Sequence, residues 1–314
     1  MDNEILIEAR ALTRRYGPTV AIENLDLTLR KGEILGLLGP NGAGKSTTMK
    51  ILTGNLAPTS GEVRVKGNSL REQPKAAKQH LGYLPEQPPV YPELTVDEYL
   101  GYCASLHGIA AKERNNAVAS AKRDCGLSDV GSRLVGNLSK GYQQRVGIAQ
   151  AIIHRPPVVI LDEPTVGLDP IQIREIRTLI GELGRNHSVI LSSHILPEIQ
   201  AVCGRVMIVA RGRVVYNASL DAIRAGQFGS VVAAFHRAPA ELSALNLIAG
   251  VKAVTAQGDG RFQFDCADGA DPREAIAQAA ADKGWALYEL YAQNRTLEET
   301  FVELTSGDDL RAAA

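Results

Sequence analysis

The sequence predicts an α/β fold built on a largely parallel, helix-covered sheet, followed by a smaller α+β unit. Three observations carry that expectation. The segments "GEILGLLG", "PPVVILD" and "SVILSSH" are apolar on both faces, as strands covered by helices on either side are. Helical patterns stand between them, and alternation of buried strands with helices is the mark of a parallel sheet. Around residues 224–229 the texture changes and a second set of short strands and helices begins.

Taken in order, "ILIEARALTRRYG" through "AIENLDLTLRKGE" reads as short alternating strands with Gly-bearing turns, leading into the buried strand "EILGLLGP". A helix is expected over 45–53. A long helical block over 95–123 opens with "TVDE", where Thr95 and Glu98 form a capping box. "LSKGYQQRVGIAQAI" is a further amphipathic helix with Ser139 as N-cap. "RVMIVARGRVVY" reads as a hairpin around Arg211-Gly212. Beyond residue 229 the pattern is strand "SVVAAF", helix "APAELSALNLIA", hairpin "VKAVTA" and "RFQFDCA", helix "DPREAIAQAAADKG", strand "WALYELYA". That order, β-α-β-β-α-β, is the ferredoxin-like arrangement. A closing helix "TLEETFVELT" is expected from Thr296, with Glu299 completing its capping box. The expected domains are 1–222, with a helical subdomain over about 93–153, then 229–306, and a flexible tail over 307–314.

Composition narrows the classes. With 314 residues, 45% of them hydrophobic, the chain has room for more than one core. Its 34 lysines and arginines are scattered and balanced by 35 acidic residues, so no basic patch offers to neutralise a nucleic-acid backbone. Cys103, Cys125, Cys203 and Cys266 lie far apart with no C-x-x-C pair, which argues against a zinc site or a disulfide framework. The start "MDNEILIEAR" has no apolar core of a leader, and no run approaches the roughly 20 apolar residues a bilayer crossing needs. The expectation is a cytosolic chain, unless another component holds it at a membrane.

Three segments carry chemistry. "GPNGAGKST" (Gly39, Pro40, Asn41, Gly42, Ala43, Gly44, Lys45, Ser46, Thr47) follows a buried strand and precedes a helix, the context of a phosphate-binding loop. Its amides curl around phosphates, Lys45 supplies a point charge and Ser46 a hydroxyl for Mg²⁺. In "VVILDEPTVGLDP", Asp162 and Glu163 emerge at the C-terminal end of a strand, where open α/β sheets bind ligands. Asp162 is placed to hold Mg²⁺. Glu163, with no phosphate or lysine of its own to neutralise, is placed to polarise a water. His194 ends the third buried strand, within reach of the same edge, and Tyr16 offers a π-face to a purine. The helix opening at Ser139, with Gly141 leaving its first amides bare, also favours an anion, although the phosphate loop lies far upstream.

These residues together resemble the ATP-binding-cassette (ABC) family over residues 5–222, in the family's motif order: Tyr16 as A-loop, Gly39 to Thr47 as Walker A, "LSKGY" as signature, "VVILDE" as Walker B, "VGLD" with Asp169 as D-loop, and His194 as switch histidine. The resemblance implies a P-loop ATPase domain with a mixed sheet and a helical subdomain, with ATP and Mg²⁺ as cofactors. It also implies that Ser139 and Gly141 cap the ATP of a second copy in a head-to-tail dimer. Two departures stand out. Lys140 and Tyr142 replace the third and fifth residues of the usual "LSGGQ". At the Q-loop position, which contacts Mg²⁺ and water, stands Glu86, followed by Gln87, and either could serve.

"EQPPVYPELTVDEYL" resembles the region that meets a membrane subunit, and "DEPTVGLDP" with the closing "TLEETFVELT" looks like the ATPases of ABC-2 type exporters, including gliding-motility and multidrug-export relatives. The implied function is ATP hydrolysis that powers export through a separate ABC-2 type transmembrane permease, at the cytoplasmic face of the cell membrane. The alternative is a non-transport ATPase of the same family acting on ribosomes or nucleic acid. A single cassette and the lack of a heptad run weigh against it. No catalytic group is expected in the second unit, where Asp259, Asp265 and Asp268 fall in or near turns and His236 has no evident partner.

Overall fold

The computed structural model describes residues 4–225, 230–237, 239, 242–267, 270–293 and 301–302. Its first strands are longer than expected: β1 (Ile5–Tyr16) and β2 (Thr19–Arg30) have 12 residues each and pair antiparallel. Their inward residues, among them Ile7, Leu12, Ile22, Leu25 and Leu27, join a core with β3 (Ile34–Leu38) and α1 (Lys45–Leu52). β4 (Ser60–Val65) and β5 (Asn68–Ser69) complete a sheet in the order β2-β1-β4-β5.

After α2 (Pro74–Lys78) and β6 (Leu81–Leu84) come three helices that pack on one another: α3 (Val96–Leu106), α4 (Ala111–Asp124) and α5 (Lys140–Ile152). The expected single block over 95–123 is thus two helices. Gly108, at φ +76°, takes a left-handed conformation that a helix cannot continue, and α3 stops before it. Its start is as expected, with Thr95 and Glu98 making both bonds of the capping box.

β7 (Val158–Leu161), α6 (Pro170–Leu183), β8 (Ser188–Ser193), α7 (Leu196–Val202), β9 (Arg205–Ala210) and β10 (Arg213–Ser219) complete the first unit. The second sheet runs β10-β9-β3-β8-β7-β6, with β9, β3, β8, β7 and β6 parallel. Every residue of β7 and β8 is buried, as strands covered on both faces must be. Each apolar side chain so buried contributes about 1.5–3 kcal/mol before chain entropy is counted. Helices sit very close to this sheet: a β-carbon on Gly82 of β6 would lie 2.0 Å from the carbonyl oxygen of Ala151 in α5. Only glycine allows α5, the helix that opens at Ser139, to end against the strand. Cys103, Cys125 and Cys203 are buried free thiols, and burial pushes all three up from the usual thiol value.

The chain divides into two compact units, Met1–Ala218 and Ser219–Ala314. The second opens with α8 (Leu220–Ala225) and continues with β11 (Ser230–Phe235), α9 (Ser243–Asn246), β12 (Val251–Gly258), β13 (Arg261–Cys266), α10 (Arg273–Lys283) and β14 (Leu287–Gln293). The sheet order β12-β13-β11-β14, antiparallel throughout, is the ferredoxin-like topology. Phe235, Phe262, Phe264, Ile276 and Trp285 form its own core. α9 is shorter than the expected helix. Asp265 lies within β13 rather than in a turn, and His236 does have a partner, stacking on Tyr288 at 4.3 Å between ring centres. Asp268 and the expected helix from Thr296 fall outside the described residues, except that 301–302 are helical.

Candidate functional site

The site forms where β3, β7 and β8 end, at the carboxyl edge of the parallel strands. The chain leaves β3 at Leu38 and re-enters helix at Lys45, so residues 39–44 must turn tightly. Two glycines make this possible. A β-carbon on Gly39 would meet the carbonyl oxygen of Val209 at 2.3 Å, and one on Gly44, at φ +106°, would meet that of Ala21 at 2.7 Å. Inside the curl lies Lys45, 5% exposed, its Nζ donating to the carbonyls of Gly39 (2.8 Å) and Pro40 (3.2 Å).

Asp162 and Glu163 follow β7 directly and are both buried. Asp162 Oδ1 accepts hydrogen bonds from Ser192 Oγ (2.7 Å) and Ser46 Oγ (3.3 Å). Burial raises its carboxyl above the ordinary value. The two hydroxyls oppose that shift, and the charges of Glu163 and Glu86 add to it. Tyr83 beside it is pushed up to about 12 by burial and by Asp162. Glu163 stands at φ +49°, a left-handed conformation rare outside glycine, with its amide donating to Ser192 Oγ at 2.9 Å.

Both oxygens of Glu163 are engaged: Oε1 lies 3.2 Å from Lys45 Nζ, and Oε2 lies 2.9 Å from His194 Nδ1. The expectation that Glu163 has no lysine is therefore wrong. Two oppositely charged groups buried side by side pair because either alone would be left uncompensated. Lys45, Glu163 and His194 form a continuous polar chain along a cleft of about 400 Å³, and Asn41, Gly42, Gly44, Ser46, Thr47 and Glu86 also line it.

The structure brings together the Walker A residues, Asp162, Glu163, His194 and Glu86. It leaves Tyr16, Gln87, Ser139, Gly141 and Asp169 off the cleft of their own chain. Tyr16 is exposed, with the Arg14 guanidinium 4.7 Å from its ring centre. Ser139 caps α5, accepting from the Tyr142 amide at 3.5 Å, and Gly141 packs on the Gln172 side chain of α6. Asp169 caps α6 through the amides of Ile171 and Gln172. Gly167 stands at φ +71°, a left-handed conformation, which accounts for a glycine in "VGLD", and the amine of Lys140 lies against it. Ser192, which ties Asp162 to the Glu163 amide, was missed. The only trace of it in the sequence is a hydroxyl pair before His194.

For a metal, hard oxygen donors stand together: the Ser46 hydroxyl and Glu86 line the cleft, and the buried Asp162 carboxylate lies behind Ser46, accepting from its hydroxyl. No cluster of three His, Cys, Asp or Glu stands ready to ligate among the described residues. That set fits Mg²⁺, which takes one or two protein ligands and completes its shell from phosphate and water.

A glycine loop wrapped on a buried lysine at a helix N-terminus, with two carboxylates at the end of a parallel strand, defines a P-loop nucleotide-binding site. A family profile described as ABC transporter matches residues 22–166. The bacitracin transport ATP-binding protein BcrA of Bacillus licheniformis is 38% identical over 221 residues, covering 70% of this chain and 71% of that protein. The probable multidrug ABC transporter ATP-binding protein YbhF of Escherichia coli is 35% identical over 223 residues, 71% of this chain but 38% of that protein's length. Among solved structures, the dimeric structure of MJ0796, a bacterial ABC transporter cassette, superposes with TM-score 0.63 at 25% identity, over 68% of this chain and 99% of that one. The chain belongs to the ABC transporter family, where the relatives it matches are ATP-binding proteins by name.

Proposed function

We propose that the chain hydrolyses ATP with Mg²⁺ and drives export through a separate membrane subunit of the ABC-2 type. The observation that carries this reading is the Lys45–Glu163–His194 chain along the cleft of about 400 Å³ at the glycine loop. In this reading the loop amides and Lys45 hold the β- and γ-phosphates. Ser46 and Asp162, with Glu86 at the rim, would hold Mg²⁺, which neutralises phosphate charge when bound. Phosphate competes with Glu163 for Lys45, which frees one carboxylate oxygen to orient a water and take its proton. His194 keeps the other oxygen aimed and presents its ring to the γ-phosphate edge.

Ser139 and Gly141 lie at a helix N-terminus away from their own cleft, so they serve the ATP of a second copy. The dimeric state of the MJ0796 cassette supports that arrangement. Tyr16 receives the adenine and Asp169 faces the partner. The cassette spans 1–222 and a second domain 229–306, which regulates or steadies the dimer. No described helix is long and apolar enough to cross a membrane. In this reading a separate polypeptide supplies the pore. Docked on it, the chain works at the cytoplasmic face of the membrane. The names of BcrA and YbhF support transport. No observation favours a ribosomal or nucleic-acid role.

Binding and turnover separate these roles. Lys45→Ala should lose ATP binding. Glu163→Gln should bind ATP normally, lose about a hundredfold or more in kcat, and accumulate as an ATP-bound dimer on size exclusion. An unchanged steady-state rate in Glu163→Gln would remove its assigned role.

A further inference from the structure

Glu198 is a buried carboxylate that the cleft does not use. It lies in the first turn of α7, 2% exposed, and is absent from the cleft lining. A carboxylate so buried needs donors. They come from two different segments, the loop after β7 and the end of β8: Thr165 Oγ1 donates to Glu198 Oε2 at 2.6 Å, and Ser193 Oγ donates to the same oxygen at 2.8 Å. The other oxygen has only Arg177 of α6, 3.9 Å away, an ion-pair distance rather than a hydrogen bond.

The two donors flank the hydrolytic pair. Thr165 is two residues beyond Glu163, on the loop leaving β7. Ser193 closes β8 immediately before His194, and its hydroxyl also accepts the Ile195 amide at 2.9 Å, which closes the turn around that histidine. Successive strand residues point to opposite faces, and the paired serines use this. Ser192 reaches Asp162 and the Glu163 amide, while Ser193 reaches Glu198.

We propose that Glu198 is a positioning residue for ATP hydrolysis, one carboxylate oxygen binding the loop that carries Glu163 to the turn that carries His194 and so setting their 2.9 Å contact. The proposal rests on the reading of Glu163 and His194 as the hydrolytic pair. Glu198 touches neither of them. It acts through Thr165 and Ser193, and displacement of reacting groups by about 1 Å is enough to cost a hundredfold in rate.

The test uses the full chain and measures kcat, ATP Kd and Tm for Glu198→Ala, Glu198→Gln, Thr165→Val and Ser193→Ala, beside Glu163→Gln. Glu198→Ala should lower kcat at least about tenfold with ATP Kd within about twofold of the parent, since binding groups are untouched. Glu198→Gln, whose amide oxygen can accept both hydroxyls, should restore kcat to within about threefold. Thr165→Val and Ser193→Ala should each lower kcat severalfold, and together cost no more than Glu198→Ala, because they act through one oxygen. A folded Glu198→Ala chain with parental kcat overturns the proposal, as does a loss that follows Tm across the variants and is not restored by glutamine. If Glu198→Ala does not fold, the two hydroxyl variants decide, and parental kcat in both overturns it. Unchanged turnover in Glu163→Gln would instead remove the reading underneath, whatever the Glu198 variants do.

Discussion

Glu86 sits on the rim of the cleft, exposed, while Gln87 beside it is exposed and off the cleft. The sequence left these two open, because adjacent polar residues after a strand point in directions that spacing alone does not reveal. A glutamine offers Mg²⁺ a carbonyl and water a donor, whereas an ionised glutamate only accepts and brings a charge toward the γ-phosphate. That charge also contributes to raising the Asp162 carboxyl. Bound Mg²⁺ offsets the repulsion, so Glu86 makes ATP binding lean more heavily on the metal. Glu86→Gln should therefore keep ATPase activity and, with a metal-holding carboxylate replaced by a neutral amide, raise the Mg²⁺ concentration for half-maximal rate at saturating ATP by up to about fivefold, the effect of a screened interaction near 1 kcal/mol. Gln87→Ala should leave that midpoint alone. The opposite outcome in an Mg²⁺ titration, a shift with Gln87→Ala only, would make Gln87 the metal-sensing residue.

At the scale of elements, α3, α5 and β6 meet at two histidines. His107 caps the C-terminus of α3, His154 follows α5, and their rings stack 3.8 Å apart at 8°. His154 Nε2 lies 3.1 Å from the Leu81 carbonyl of β6, which makes it the protonated nitrogen of a neutral ring, and Nδ1 is buried without a hydrogen bond. Burial pushes His154 down to about 4, with His107 and His187 adding to the shift and the Leu81 carbonyl opposing it; His107 is lowered by burial too. With the folded value below the usual one near 6.5, the folded state binds fewer protons than the unfolded. The stability of the neutral stack is complete above about pH 6.5 and is lost as pH falls toward 4. Tm should thus fall more steeply from pH 7 to 4.5 in the parent than in His154→Phe, and equal slopes by pH-resolved thermal melts would refute this. The buried strands β7 and β8 and the Thr95–Glu98 cap were legible in the sequence, because both-face apolarity and capping are local patterns. The break at Gly108 is local too, a glycine inside a helical run that marks a possible stop without fixing one, whereas this histidine stack and the Thr165–Glu198–Ser193 network were not legible, because they depend on which distant segments the fold brings together. The Lys45–Glu163 pair escaped for the same reason: it joins the start of α1 to the loop after β7, far apart in the chain.

At the scale of the whole molecule, the residues proposed for phosphate binding and hydrolysis all belong to the unit Met1–Ala218, and the unit Ser219–Ala314 carries a separate core around Phe235, Phe264 and Trp285. Among the described residues of the second unit, several polar side chains pair with one another: Arg261 with Glu289, Gln257 with Gln263, and Arg273 with Asp271, each near the surface. Such pairs orient a surface and contribute about 1 kcal/mol or less each, so they do not make a reaction centre. A unit with its own core and sheet can fold as a unit, and removing it should leave the nucleotide cleft intact. A chain ending at Ala218 should bind ATP with Kd within about twofold of the full chain, because no cleft residue is lost. Calorimetry should show the unfolding transition of the second unit disappear while that of the first remains. Its ATP-dependent association, followed by size exclusion in the Glu163→Gln background, should weaken if the second unit steadies the dimer. A truncated chain that keeps its fold by circular dichroism and yet fails to bind ATP would show that the second unit takes part in the nucleotide site.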